Sequence, residues 1–166
     1  QLCLMTAQIA NGGFKIYPKI VLDNGDEDNK KDKFEPLFKD PKNIKIIQEA
    51  MFSSTNEIRG TSYRSRIKDP KYQFAGKTGT AQVKRITKLD RELDLKTFEI
   101  PYEERDHALY IAYGPYKHPR YAVSILVEHG GSGSSVAAPM AKKLFKKIID
   151  RHEIRNNFNN KRYLDI

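Results

Sequence analysis

Apolar residues recur every three or four positions in three stretches of the chain, a spacing that predicts three helices. The first occupies the opening residues and ends at the Asn-Gly-Gly sequence 11–13, since glycine readily adopts the left-handed backbone conformation that terminates a helix. The second starts at Asp40, whose side chain suits an N-cap, with Pro41 in its first turn. The third starts at Ser134 or Ser135. Its predicted buried face consists of apolar residues one helical turn apart: Val136, Met140, Leu144 and Ile148.

Strands are predicted where apolar and polar residues alternate or where a short apolar run is bounded by turn residues. Segment 72–83 alternates, and segments 108–113 and 121–128 form a hairpin around a Gly-Pro turn. The polar segment 53–71 and the charged segment 84–106 are predicted to be irregular connections. The order of elements, with helices before and after the strands, predicts an α+β fold with an antiparallel sheet flanked by helices.

Charge and composition narrow the classes of function. The chain has 166 residues, enough for one domain, and a formal net charge of +9. Its basic residues are spread along the whole sequence, and no zinc-finger or RNA-binding signature accompanies them. We therefore expect a solvated basic surface and no nucleic-acid partner, with a basic nucleic-acid-binding module kept as an alternative. The sequence contains no run of eighteen apolar residues, so we predict no membrane span in it.

Three partial motifs for metals or cofactors lack a required position. His152-Glu153 begins a zinc-protease pair, but Asn156 stands where the second histidine belongs. Segment 24–35 has the acidic character of a calcium loop without its sixth-position glycine. The glycines in 130–133 are not followed by the rest of a dinucleotide fingerprint. We predict neither a metal site nor a cofactor.

The segment 76–80, Gly-Lys-Thr-Gly-Thr, is the one motif whose chemistry fits its predicted setting. On an edge strand, unpaired backbone groups can bind an extended peptide, and Gly79 lets that peptide approach closely. Lys77 supplies positive charge that can lower the proton affinity of a neighbour. The hydroxyls of Thr78 and Thr80 can hold a carboxylate. The amide of Thr80 can stabilise an oxyanion, and losing such a donor costs about 3 kcal/mol.

Segment 76–82 resembles the Lys-Thr-Gly element of the motif set found in penicillin-binding proteins and class A β-lactamases. Further segments resemble, in order, the class B penicillin-binding proteins, and the elongation-type transpeptidase best. They are the helix 1–13, the loop 59–61, the strand 105–115, and the last strand and helix at 128–131 and 137–139. The resemblance implies the C-terminal part of a serine D,D-peptidase or β-lactamase-like transpeptidase domain.

That resemblance also implies roles for the motif residues. Lys77 would interact with the serine of the family's second motif, and Thr78, Gly79 and Thr80 would bind a β-lactam or a donor stem peptide. The backbone of Thr80 would share the oxyanion hole with the nucleophile's own amide. The intact protein would cross-link peptidoglycan stem peptides through a serine acyl-enzyme. It would lie in the bacterial inner membrane facing the periplasm, beside the glycan polymerase of the elongation machinery. A serine β-lactamase or a β-lactam sensor is the alternative from a neighbouring class.

The nucleophile motif is where the chain departs from the family. Segment 65–68 fits Ser-x-x-Lys and segment 54–56 fits Ser-x-Asn, but both lie shortly before the Lys-Thr-Gly motif and in reversed order. We expect neither to be catalytic and expect the true nucleophile to precede Gln1. Residues 1–150 would then be part of the transpeptidase domain and 151–166 a polar, frayed tail. The chain alone would be inactive, and its last strand, 121–128, would be an apolar edge through which isolated chains dimerise.

Overall fold

The computed structural model describes residues 1–18, 20, 35–85, 88–93 and 95–164. The charged segment 23–33, and with it most of the calcium-like stretch 24–35, lies outside the described residues. Among the described helices, none combines the length and the apolarity needed to cross a bilayer.

The centre of the fold is an antiparallel sheet of three strands in the order β1-β2-β3, namely Ala75–Ala81, His107–Gly114 and Tyr121–Val127. In the register of the first pair, Lys77 lies opposite Ile111 and Thr78 opposite Tyr110. The predicted strands and hairpin are confirmed, with slightly different ends.

Helices cover both faces of this sheet. They are α1, Leu2–Ala10, and α2, Pro41–Asn56, on one face and α4, Ala138–Leu164, on the other; the short α3, Lys88–Leu93, lies in the connection between β1 and β2. The carboxylate of Asp40 accepts a hydrogen bond from the amide of Lys42 at 2.8 Å, so the predicted N-cap is confirmed. Two predicted connections contain helix instead: α2 continues to Asn56, and α3 lies within 84–106.

Strand alternation divides the core into two clusters. On one face, Phe74, Tyr110 and Phe145 are fully buried between the sheet and α4. On the other face, Met51 and Tyr113 pack with residues of α1 and α2. The predicted α+β architecture, a sheet flanked by helices, is therefore confirmed.

The predicted buried face of the last helix is wrong at Met140 and Leu144, whereas Val136 and Ile148 are half-buried. Met140 is 47% exposed and Leu144 is 37% exposed. The buried residues form the neighbouring stripe: Ala137, Ala138, Ala141, Phe145 and Ile149. Three small alanines let the start of the helix approach the sheet closely, and Phe145 stacks on Phe74 with ring centroids 4.9 Å apart.

The segment 151–166, expected to fray, continues α4 as a helix as far as Leu164. Two contacts attach the part of α4 from Asp150 to Glu153 to the residues before β1. The hydroxyl of Tyr72 donates to the carboxylate of Asp150, and the ammonium of Lys71 lies 2.7 Å from a carboxylate oxygen of Glu153. The division of the chain at residue 150 stays a prediction.

Candidate active site at the open edge of strand β1

Strand β1 has one edge paired with β2 and one edge that no other strand of the described residues pairs. The last turn of α2 covers the first half of that outer edge. The amide of Asn56 donates to the carbonyl of Phe74 at 3.0 Å, and the hydroxyl of Thr55 lies 3.3 Å from the carbonyl of Gly76. These side chains satisfy backbone groups that a sheet edge otherwise leaves to solvent.

The second half of the same edge is not covered by a strand or helix of the described residues. In a strand, the backbone groups of alternate residues point to the same edge. Because the carbonyls of Phe74 and Gly76 point towards α2, those of Thr78 and Thr80, with their amides, point outwards as well. This is the segment of the Lys-Thr-Gly motif for which the sequence predicts peptide binding.

Lys77 lies on the face of β1 that α2 covers, and its side chain is exposed. Its ammonium donates to the carbonyl of Thr78 at 2.9 Å and lies 3.4 Å from the Thr78 hydroxyl. The side chain borders a depression of about 280 Å³ between the end of α2 and the loop that follows. A positive charge is thus bound to the Thr78 carbonyl, on the same edge as the amides of Thr78 and Thr80.

A row of hydroxyls extends from the motif to α2. The Thr78 hydroxyl lies 3.3 Å from that of Thr61, which lies 3.2 Å from that of Ser54. Sequence reasoning noted the loop 59–61 as family-like but gave Thr61 no role. The contact joins residues 17 positions apart, so only the folded chain reveals it.

Two glycines allow close approach on the opposite face of the edge. A Cβ on Gly133 would lie 2.7 Å from the carbonyl oxygen of Gly79 and 2.4 Å from that of Leu109. The turn Gly133–Ala137, which leads into α4, therefore packs directly on the backbone of the motif. It also borders a second depression, of about 350 Å³, with the loop after α2. The open edge is thus flanked by a depression on each face.

A family model described as the penicillin binding protein transpeptidase domain matches residues 1–146. The chain belongs to this family. The match covers most of the sequence and includes every element around the open edge.

Named relatives support the same assignment. Peptidoglycan D,D-transpeptidase MrdA of Salmonella typhimurium (strain SL1344) is 35% identical over 105 residues, covering 63% of this chain and 16% of its own length. MrdA of Haemophilus influenzae is 37% identical over 101 residues, covering 61% of this chain and 15% of its own length. The chain therefore spans about a sixth of the length of these relatives.

Solved structures agree in fold. Helicobacter pylori PBP2, in a complex with MreC, aligns with a TM-score of 0.65 and 30% identity, covering 87% of this chain and 23% of that one. Pseudomonas aeruginosa PBP2, in complex with WCK 5153, aligns with a TM-score of 0.61 and 30% identity, covering 88% and 29%. The resemblance to class B penicillin-binding proteins of the elongation type is confirmed.

The two letter matches to the family's remaining motifs fall in structural positions. Ser65 is 2% exposed in a short 3-10 turn, whereas Lys68 is exposed at the surface. Asn56 binds backbone carbonyls at the end of α2, and Thr55 is fully buried. Ser54 lines the depression beside Lys77 and contacts Thr61, whereas Thr55 and Asn56 bind the first half of the β1 edge.

Proposed function

We propose that this chain forms one wall of the active site of a peptidoglycan D,D-transpeptidase. The observation that supports this function best is the division of the outer edge of β1. Side chains of α2 bind its first half, whereas in its second half the described residues place only the Lys77 ammonium on the Thr78 carbonyl and leave the amides of Thr78 and Thr80 unbound. An extended stem peptide can add to such an edge as a further strand.

The proposed reaction is acyl transfer through a serine that lies upstream of Gln1. This serine attacks the carbonyl of the D-Ala-D-Ala bond, and the negative charge that develops on the carbonyl oxygen is stabilised by the amide of Thr80. The bond to the terminal D-Ala breaks, and that D-Ala leaves as the free amine. An amine of a neighbouring stem then takes the acyl group and releases the serine, which completes the cross-link.

In this proposal the other motif residues bind the substrate before it reacts. The hydroxyls of Thr78 and Thr80 hold the substrate carboxylate, while Gly79 presents no side chain to the approaching peptide. Lys77 contributes positive charge to the serine of the second motif. A β-lactam would bind in the same way, because its carboxylate and acyl carbonyl copy those of the donor peptide.

The location and the partners of the longer protein are proposals based on its relatives. We place the longer protein, which continues upstream of Gln1 through the nucleophile, in the inner membrane with this part in the periplasm. There it would work beside a glycan polymerase of the elongation machinery and contribute to cell shape. The H. pylori relative forms a complex with MreC, which is compatible with an elongation assembly.

For the isolated chain we propose self-association through β3. Within the described residues this strand pairs only with β2, and Leu126 is 54% exposed on it. Light scattering at increasing concentration should give a mass above that of one chain. Ser124, also exposed on β3, is the position for a matched variant. Ser124→Lys should return the protein to monomers, and monomers of the unchanged chain at high concentration would contradict this proposal.

Penicillin labelling tests the proposed function. Intact-mass spectra would be taken after penicillin treatment of this chain and of the longer protein. We expect the mass of one drug molecule to be added only to the longer protein. Labelling of the short chain would show that a serine of this chain, such as Ser54, is the nucleophile. Labelling of neither would reject the acyl chemistry.

A further inference from the structure

Three buried hydroxyl groups meet directly behind the open edge; we call Thr55, Ser62 and Tyr110 the hydroxyl cluster. The Tyr110 hydroxyl lies 2.9 Å from that of Thr55 and 3.0 Å from that of Ser62. Tyr110 and Thr55 are fully buried, and Ser62 is 1% exposed. Buried polar groups are costly unless paired, so each contact in the cluster restricts the position of its neighbours.

Each hydroxyl of the cluster has an acceptor for its proton. The Ser62 hydroxyl donates to the carbonyl of Ser54 at 3.0 Å, and the Thr55 hydroxyl is within 3.3 Å of the carbonyls of Met51 and Gly76. When Ser62 and Thr55 donate to these carbonyls, Tyr110 donates its own proton to one of their two hydroxyl oxygens. Burial raises the pKa of Tyr110, although the Ser62 and Thr55 hydroxyls oppose that shift, so the phenol keeps this proton.

The cluster joins four elements that build the site. Thr55 belongs to the last turn of α2, Ser62 to the loop after it, and Tyr110 to β2. The fourth element is β1, because the phenol passes directly under Gly76. A Cβ at that position would lie 2.4 Å from the Tyr110 hydroxyl oxygen.

We propose that Tyr110 is a positioning residue for the active site. Through Ser62 and Thr55 its hydroxyl fixes the loop carrying Thr61 and the strand carrying Thr78. This inference rests on the proposed function, which makes Thr78 a substrate-binding residue.

The geometry explains why a buried phenol can influence an exposed site. Ser62 directly follows Thr61, whose hydroxyl lies 3.3 Å from that of Thr78. Gly76 precedes Thr78 by two residues, on the same edge of the strand. If the loop or the strand shifts, the two threonine hydroxyls separate and the open edge changes its distance from the substrate. A displacement of about 1 Å near a reacting centre can reduce a rate roughly a hundredfold.

Two buried tyrosines on β2 provide a matched test. Tyr110→Phe removes a paired hydroxyl, whereas Tyr113→Phe removes a buried hydroxyl that has no hydrogen-bond partner among the described residues. Both variants would be made in the longer protein. The second-order rate constant for acylation by a fluorescent penicillin would be measured per active molecule, well below the melting temperature. We expect a fall of about tenfold for Tyr110→Phe and an unchanged rate for Tyr113→Phe.

A second pair separates positioning from stability. Thr55→Val removes the cluster hydroxyl from α2 and should slow acylation several-fold, whereas Thr55→Ser keeps the hydroxyl and should retain most of the rate. If the Thr55 hydroxyl only stabilised the fold, its loss would lower the melting temperature and leave the rate constant per active molecule unchanged.

The outcomes distinguish the two proposals. An unlabelled wild-type longer protein would reject the proposed function, and this inference with it. A labelled wild type whose Tyr110→Phe and Tyr113→Phe variants react equally fast would reject the inference alone. Equal rates for Thr55→Val and Thr55→Ser would do the same.

Discussion

The two halves of the outer edge of β1 differ in what satisfies their backbone. At Phe74 and Gly76, the side chains of Asn56 and Thr55 bind the carbonyls, as a neighbouring strand would. At Thr78 and Thr80 the alternation of the strand points the same groups away from the protein body. One short strand thus combines a segment that is fixed to the fold with a segment left for a substrate.

This difference separates stability from function along a few residues. Substitutions in the closed half remove contacts within the protein and should lower the free energy of unfolding, with an indirect effect on acylation where they disturb the hydroxyl cluster. Substitutions in the open half remove contacts to a bound molecule and should mainly lower the rate of acylation. The following experiments test that separation.

The largest effect is expected at Gly76. In Gly76→Ala the new Cβ meets the buried phenol of Tyr110, which must move and leave its hydroxyl partners. Overpacking together with a broken buried hydrogen bond should cost about 3 kcal/mol of unfolding free energy. Gly79→Ala is the control in the open half, where the nearest atom to a Cβ is Leu109 Cβ at 3.2 Å. It should cost about 1 kcal/mol or less, as measured by denaturant unfolding of the transpeptidase domain.

The open half should show the reverse behaviour. Thr78→Val keeps the shape of the side chain and removes the hydroxyl proposed to hold the substrate carboxylate. Hydrogen bonds to charged groups contribute about 1.5–3 kcal/mol, so penicillin acylation of the longer protein should slow roughly tenfold to a hundredfold. Stability should change by no more than about 0.5 kcal/mol. An unchanged acylation rate would remove Thr78 from the site.

The sequence predicts the strands and helix ends that build this site, but not the buried contacts between them. The Lys-Thr-Gly strand, the hairpin and the Asp40 cap follow from local patterns, and the structure confirms them. The hydroxyl cluster joins residues such as Thr55 and Tyr110, 55 positions apart, and no local pattern encodes that contact. The buried face of α4 was missed because alanines such as Ala141 give a weak hydrophobic signal. The larger Met140 in the neighbouring stripe suggested the wrong face.

A smaller effect on stability is expected at Asn56, which binds the closed half. Asn56→Ala removes hydrogen bonds from the side-chain amide to the carbonyls of Phe52 and Phe74, both at 3.0 Å. The lost pairing should cost about 1.5 kcal/mol of unfolding free energy, with a smaller effect on acylation than Thr78→Val. Asn43→Ala, at an exposed position in the first turn of the same helix, is the matched control and should stay within about 0.5 kcal/mol. Equal losses in the two variants would contradict a closed half.

The smallest effect concerns pH. Burial raises the pKa of both Tyr110 and Tyr113, whereas an unfolded tyrosine ionises at about pH 10. Above that pH the unfolded chain loses tyrosine protons that the folded chain keeps. Stability should therefore fall as the pH rises, by at most about 1.4 kcal/mol per pH unit for a tyrosine that keeps its proton in the folded chain. Tyr113→Phe should reduce this slope by one tyrosine's share in unfolding experiments at successive pH values. An unchanged slope would show that Tyr113 ionises normally in the folded chain.

The most direct test of an open, substrate-binding edge is a crystal structure of the longer protein acylated by penicillin. We expect the acyl carbonyl oxygen at about 2.7–3.1 Å from the amide nitrogen of Thr80, with the drug's carboxylate on the hydroxyls of Thr78 and Thr80. The bound drug would then lie along the second half of β1, while Asn56 and Thr55 still hold the first. An acyl group bound away from residues 78–80 would contradict the account.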